Sequence, residues 1–247
     1  MTSDPSSADA PWAAVVVNYN AGPALGDCVA SALAQNPPPE LVVVDNASTD
    51  GSVDGLLRAH PGVRVVQSGG NLGYARAANL GIAATGAPVV AVLNPDTVLA
   101  PGVGRALAGR FAAEVDLGAL GPRLNNPDGS VYPSARRIPT VVDAVGHGLL
   151  FFVWPDNPFT GRYRETGADP ARPRDVDWVS GAAIWLRRAA LDDIGGWDER
   201  YFMYVEDVDL CWRLRSAGAR VVVEPSARVR HAADLSSGRR LFSSLAL

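Results

Sequence analysis

Between residues 13 and 114, short β-branched runs alternate with longer alanine-rich segments, and no other feature constrains the fold as tightly. "AAVVV" (13–17), "ELVVVD" (40–45), "VRVVQ" (63–67) and "APVVAVL" (87–93) read as strands. "PALGDCVASALAQ" (23–35), "GSVDGLLRAH" (51–60), "NLGYARAANLGIAAT" (71–85) and "PGVGRALAGRFAAE" (101–114) read as helices, with Pro23 suited to a first turn and Asn71 to a cap. Near-continuous apolar strands separated by helices predict a parallel sheet covered on both faces, a Rossmann-like half-domain.

After Gly121 the pattern changes. "NNPDGSVYPSARRIPT" is turn-rich and basic, and residues 155–175 read as loop. "VDWVSGAAIWLRR" (176–188) reads as a strand pair or one long buried strand, and "AALDDIGG" as a short helix ending at Gly195. "VEDVDLCWRLRSAG" (205–218) reads as a helix closed by Gly218, and "ARVVVEP" (219–225) as a final strand. The expected architecture is a single α/β domain over residues 12–238. Residues 12–121 bind a nucleotide and residues 122–238 shape an acceptor pocket. Residues 1–11 are expected to be disordered, and 239–247 form a tail.

Bulk properties exclude several functions. A hydrophobic share of 47% with 19% charged residues is globular composition. A net charge of −4 argues against nucleic-acid binding. All 22 basic residues are arginine, so Schiff-base and P-loop lysine chemistry is absent. Cys28 and Cys211 make no disulfide framework and are expected to be reduced, structural thiols in a cytoplasmic setting. The N-terminus lacks the basic and apolar regions of a signal peptide. The run Val141 to Trp154, interrupted by Asp143 and His147, is too short to span a bilayer. The expectation is a soluble protein able to touch a membrane surface.

In open parallel sheets ligands sit at the carboxyl ends of the strands. The polar clusters fall there: Asn18-Tyr19-Asn20 after the first strand, "DNASTDGS" (45–52) with Asp45 and Asn46 after the second, and "NPDTVL" (94–99) after the fourth. Turn formation explains any one of them; three in succession on one edge favour a binding site. Asp45 suits the N3–H of a pyrimidine, or caps its own turn. Asn94 and Asp96 offer two oxygen ligands to Mg²⁺ or Mn²⁺, or form a plain turn. His231 lies just beyond the final predicted strand, where a neutral ring nitrogen can serve a metal. His60 and His147 read as structural. Arg76 either pairs with phosphates or is a solvated helix arginine.

Glu206, Asp207 and Asp209 follow the apolar run Tyr201–Val205. A helix N-terminus favours such acids, and Asp209 can pair with Arg213. Asp207 next to apolar side chains is expected to have a raised pKa.

"VVVNYN", "DNASTDGS", "NLGYARAANLGI", "LNPDTVL", "SGAAIWLRR", "GGWDERYFMYVEDVDLCWRL" and "HAADLSSG" resemble, in order and spacing, the family 2 inverting glycosyltransferases of GT-A fold, over residues 13–238. "GPRLNNPDGSVYPSARRIPT" and "FFVWPDNPFTGRYR" are most similar to the actinobacterial and mycobacterial rhamnosyltransferases that act on decaprenyl-diphosphate-linked N-acetylglucosamine in cell-wall assembly. The resemblance implies that Asp45 reads the uracil or thymine ring, with Asn18, Tyr19, Asn20 and Asn46 around the nucleoside and Arg76 near the nucleotide. It implies that Asn94 and Asp96 occupy the DxD position, with His231 joining a Mg²⁺ or Mn²⁺ site. It makes Asp207 the catalytic base, helped by Glu206. The donor is a dTDP- or UDP-sugar, dTDP-rhamnose foremost, and the acceptor a saccharide or polyprenyl-diphosphate-saccharide. The location implied is the cytoplasm, peripheral to the inner face of the plasma membrane. Asn94 departs from the acidic first DxD position. A glycoside hydrolase also uses two carboxylates but needs no nucleotide edge. A nucleotidyltransferase needs a basic Gly-rich loop absent here. A non-catalytic sugar-nucleotide-binding protein is the third class, favoured only by Asn94.

Overall fold

The computed structural model describes residues 11–132, 134–136 and 171–232. The expected disordered N-terminus, apart from Pro11, the run at 141–154, most of the loop at 155–175 and the tail at 239–247 lie outside the described residues.

The described elements are, in chain order, β1 (Ala13–Asn18), α1 (Ala24–Leu33), β2 (Glu40–Asp45), α2 (Ser52–Ala59), β3 (Arg64–Gln67), α3 (Tyr74–Ala83), β4 (Val89–Leu93), β5 (Thr97–Leu99), α4 (Val103–Ala113), β6 (Leu117–Asn125), β7 (Ala135–Arg136), β8 (Arg174–Asp175), β9 (Trp178–Val179), β10 (Ala183–Arg187), α5 (Arg188–Asp193), α6 (Glu206–Ser216) and β11 (Arg220–His231). The main sheet runs β3-β2-β1-β4-β10-β6-β11-β5, with β8 also on β11. β7 and β9 form a separate ribbon.

β1, β2, β3 and β4 pair in parallel. β10 is antiparallel to both β4 and β6, and β6 is parallel to β11. β6 and β11 therefore point the same way as β1–β4. The carboxyl ends of β1, β2, β4, β6 and β11 share one edge, which collects Asn18, Asp45, Asn94 and His231.

The apolar runs produce the core. Every residue of β1 and β4 is buried, so these strands are covered on both faces as their composition predicts. One face packs Trp12, Leu25, Val29, Leu107, Phe111 and Trp185 beneath α1 and α4. The other packs Val15, Val44, Ala78, Ile184, Trp197 and Leu210 beneath α3 and α6. Cys28 and Cys211 are free, buried thiols pushed by burial up to about 12, too high to be reactive.

Three local expectations change. α3 starts at Tyr74 and Gly73 takes the cap position, at φ +82°. Asn71 lies further upstream, where its Oδ1 accepts the Gly73 N–H at 3.1 Å. "VDWVSGAAIWLRR" splits between two sheets as β9 and β10, with Ser180–Ala182 as the break. The last strand does not stop at Pro225 but continues to His231, because β11 shifts register between Glu224 and Arg228. Such a bulge absorbs a proline, which cannot donate to a regular ladder.

Gly81 sets the seat of α3. A Cβ there would overlap Val15 and lie 2.9 Å from Val44 Cγ2. Helix propensity favours alanine by about 1 kcal/mol, but overpacking costs about 1–3 kcal/mol, so strain wins. Gly81→Ala is expected to lower the melting temperature. Gly109→Ala, at an exposed α4 position with open space around it, is expected to raise stability by about 0.5–1 kcal/mol. Thermal unfolding of the two variants checks the contrast.

Candidate active site

The β1 and β2 ends are stitched together by short polar side chains. Asn18 is fully buried, and its Nδ2 lies 3.1 Å from Asp45 Oδ1 and 3.0 Å from both Ser48 Oγ and Ser52 Oγ. Asn20, at φ +52°, accepts the Thr49 N–H through Oδ1 at 2.8 Å. Asn46 accepts the Leu72 N–H at 2.9 Å and donates to Asn71 Oδ1 at 3.0 Å, tying down the approach to α3. Asn18, Asn20 and Asn46 thus shape the loops with their own polar atoms. Asp45 is buried and accepts through Oδ1, from Asn18 and from the Ser48 N–H at 3.4 Å. Its Oδ2 has no hydrogen-bond partner among the described residues. The Tyr19 ring stands about half exposed beside this edge. Arg76 sits in the first turn of α3, half exposed, 3.4 Å from Glu199.

Asp96 and His231 meet beyond β4. His231 Nε2 lies 3.3 Å from Asp96 Oδ1, with both side chains almost fully buried. Among the described residues, neither carboxylate oxygen of Asp96 and neither ring nitrogen of His231 has a hydrogen-bond partner. Their backbones hold them in place: β11 pairs His231 with Thr97, and the Ala232 N–H donates to the Asp96 carbonyl at 3.1 Å. The Tyr132 ring packs at right angles to the imidazole, with ring centroids 5.5 Å apart. Buried polar atoms without partners cost about 1–3 kcal/mol each unless a ligand satisfies them. The Asn94 backbone is pinned by its N–H to Ala182 O at 2.8 Å and by Thr97 Oγ1 donating to its carbonyl at 2.7 Å. Among the described residues no group of three or more His, Cys, Asp or Glu forms a metal cage. One carboxylate and one imidazole fit instead an ion that keeps its waters and takes further oxygens from a phosphate.

Glu206 and Asp207 open α6. The turn before them is strained: Tyr204 and Val205 have φ of +71° and +70°, conformations that cost non-glycine residues about 1–3 kcal/mol each. Phe202, Met203, Tyr204 and Val205 are all exposed. The Asp207 pKa is raised as expected, with burial the main cause. Gly181 lies close against Asp207, since a Cβ on the glycine would be 3.3 Å from Asp207 Cβ. Asp207 Oδ2 accepts the Gly181 N–H and Oδ1 the Val208 N–H, each at 2.8 Å. Burial raises the Asp207 pKa against these two hydrogen bonds. Glu206 is buried with Oε2 unpartnered, and burial, together with the Asp207 charge, pushes it up to about 7. Asp209 pairs with Arg213 at 2.7 Å, as its spacing predicts.

Two groups went unnoticed in the sequence. The buried Tyr74 hydroxyl donates to the Gly181 carbonyl at 2.7 Å. Its pKa is raised well above 10 by burial and by the fields of Glu206, Asp207 and Asp96, so all three carboxylates act at this phenol. A glycine inside a strand pattern signals close backbone approach and pointed to Gly181; Tyr74 carried no such signal. The turn is fastened to α3 as well, because the Tyr74 N–H donates to Phe202 O at 2.8 Å and a Cβ at Gly73 would overlap that carbonyl.

The model of the family "Glycosyl transferase family 2" matches residues 13–195; Glu206, Asp207 and His231 lie beyond the match. The chain is 42% identical over 244 residues to the N-acetylglucosaminyl-diphospho-decaprenol L-rhamnosyltransferase of Mycobacterium tuberculosis, covering 94% of this chain and 79% of that protein. A mannosyltransferase of Pyrobaculum calidifontis in complex with GDP-Man and Mn²⁺ superposes with a TM-score of 0.60 at 20% identity. GalNAc-T7 with UDP, GalNAc and Mn²⁺ superposes with a TM-score of 0.67 at 17% identity. Each structure covers 90% of this chain, which spans 57% and 44% of theirs. The fold is GT-A, and the chain belongs to glycosyltransferase family 2.

Proposed function

We propose that this enzyme transfers L-rhamnose from dTDP-rhamnose to a sugar hydroxyl of a polyprenyl-diphosphate-linked N-acetylglucosamine, by one displacement with inversion. The observation that carries the substrate class is the 42% identity, over 94% of the chain, to a transferase named for that acceptor. The site geometry supports the reaction class. Asp45 keeps Oδ2 for the N3–H of the base, and Asp207 lies across the edge beside Gly181. A UDP-linked donor is the second reading, since uracil and thymine present the same N3–H to Asp45.

Asp207 is the base. Two of its four lone-pair sites are used by backbone N–H groups, which aim the carboxylate and leave the others for the acceptor hydroxyl. It takes the proton as the new C–O bond forms. Glu206, whose pKa burial raises to about 7, carries less negative charge near neutrality than an ordinary carboxylate and positions the acceptor by hydrogen bonding. Asp96 and His231, with Asn94 beside them, would hold Mg²⁺ or Mn²⁺, which supplies the positive charge that a departing diphosphate needs. Asn18, Tyr19, Asn20 and Asn46 shape the nucleoside side, and Arg76 flanks it from α3. No described helix is long and apolar enough to cross a membrane; the proposed location is the cytoplasmic face, in peripheral contact.

A donor panel of dTDP-rhamnose and UDP-sugars, with a prenyl-diphosphate-N-acetylglucosamine analogue as acceptor, tests the function. Turnover with no rhamnosyl donor would remove the reading. Asp207→Asn is expected to lower kcat by about 10²–10⁴ with donor affinity nearly unchanged; a variant retaining most of its turnover removes the base assignment. For Asp96→Ala, donor affinity should lose its dependence on Mg²⁺ or Mn²⁺ in a titration. Glu206 bears on stability. Its folded pKa of about 7 lies above the ordinary 4.5, so its favourable contribution is complete below 4.5 and is lost as pH rises through 7. Glu206→Gln should therefore melt higher than the wild type above pH about 7, and the gap should close towards acid.

A further inference from the structure

The carboxyl ends of β6 and β11 carry an arrangement that the chemistry above does not use. Arg123 and Arg228 are partners in register on these parallel strands, and Arg230 follows opposite Asn125. In-register side chains share a face, so like charges oppose each other directly, which is unfavourable. None of the three arginines forms an ion pair with an acid among the described residues, and Arg123 Nε is buried without a hydrogen-bond partner. Arg228 and Arg230 are exposed. Glu224, the nearest acid along β11, is committed to Arg110 at 2.9 Å and to Ser226.

Strand parity gives the direction of this face. On β6, Ala119 packs into the cluster beneath α3 and α6, and a Cβ at Gly121 would press on Val179 of the same cluster. Arg123 and Asn125 continue that side, the side on which Asp207 lies. Arg230 immediately precedes His231, so the stripe reaches the edge where donor and acceptor meet. At about 3.3 Å per residue and about 4.8 Å between strands, the three stems form a triangle with sides of about 5, 7 and 8 Å. Long guanidinium side chains on such a triangle can converge on one small polyanion and bind it bidentately.

We propose that Arg123, Arg228 and Arg230 form a diphosphate-binding site for the acceptor, separate from the donor diphosphate at Asp96 and His231. The assignment to the acceptor rests on the function proposed above. The anion bridges guanidinium groups that otherwise repel one another. A compact triangle beside the transfer site matches the diphosphate of one acceptor molecule in size and in charge.

The test uses Arg228→Gln/Arg230→Gln. The ratio of kcat/KM for a prenyl-diphosphate-N-acetylglucosamine analogue to that for a neutral alkyl N-acetylglucosaminide is expected to fall roughly tenfold or more, the scale of one lost charge-assisted hydrogen bond. Inorganic pyrophosphate, titrated with donor nucleotide and metal saturating, should bind the wild type more tightly than the variant. Melting temperature should hold or rise, since a repulsion is removed; a fall would mark the arginines as structural and overturn the proposal. An unchanged pyrophosphate constant overturns the site, including the case where the variant instead loses binding to phosphatidylglycerol vesicles. Weakened pyrophosphate binding with an unchanged acceptor ratio overturns the assignment to the acceptor. If the wild type transfers to neither acceptor, the proposed function fails, and the pyrophosphate comparison still decides the anion site.

Discussion

One glycine and the residue after it hold the site together. The break between β9 and β10 places the Gly181 N–H on Asp207 and the Gly181 carbonyl under the Tyr74 hydroxyl, and the next carbonyl, of Ala182, receives the Asn94 N–H. The acid-bearing helix, the helix after the third strand and the end of β4 are thereby referenced to a single turn. A side chain at position 181 would meet Asp207 and Trp197, so glycine is what lets the carboxylate dock at hydrogen-bond distance. The antiparallel β10 has a second consequence. By inserting between β4 and β6 it returns the chain direction to that of the first half, and this brings His231 to the edge that holds Asp96.

Stability is spent locally around this turn. Tyr204 and Val205 hold left-handed backbone, Glu206 is buried with an unpartnered oxygen, and Asp96 faces His231 with no hydrogen bond to either. Each feature opposes folding by a few kcal/mol at most. The compensation is ordinary: fully buried strands in a core covered on both faces. Strain and unsatisfied polarity concentrate where ligands are expected, and the strained turn is fastened to α3 through Phe202 and Gly73 rather than left loose.

The parallel half was legible in the sequence because burial on both faces leaves nearly unbroken runs such as "AAVVV" and "VVAVL", and the polar clusters after them do fall on one edge of the sheet. What was not legible involved long-range contact. Pro225 reads as a strand end, and only the pairing of β11 with β6 reveals the bulge that carries the strand on to His231. The side chains of the run before Glu206 are largely exposed, and Asp207 is held instead by the N–H of Gly181, far away in sequence. Asn71 reads as a cap; tertiary packing at Gly73 moved the helix start. Tyr74 is invisible as a partner of Gly181 because a tyrosine at a helix start has no local pattern to break. The opposition of Arg123 and Arg228 is likewise a property of register, which composition does not record.

Electrostatics divides the labour among the acids. Three carboxylates act on the Tyr74 phenol, and full ionisation of all of them in a partly dry site is unfavourable. The arrangement relieves this in different ways. Asp207 is stabilised as an anion by two backbone N–H groups, although burial still raises its pKa. Glu206 has no such support on Oε2 and yields first, holding its proton to about 7. Asp96 lies against His231, where a cation would compensate it. Asn94 then makes physical sense as a neutral neighbour, because a further carboxylate at the end of β4 would add negative charge to a region already short of counter-charge. The same reasoning separates the two diphosphates of the proposed reaction. The donor's lies where a metal would offset negative side chains, and the acceptor's lies over arginines that need an anion between them.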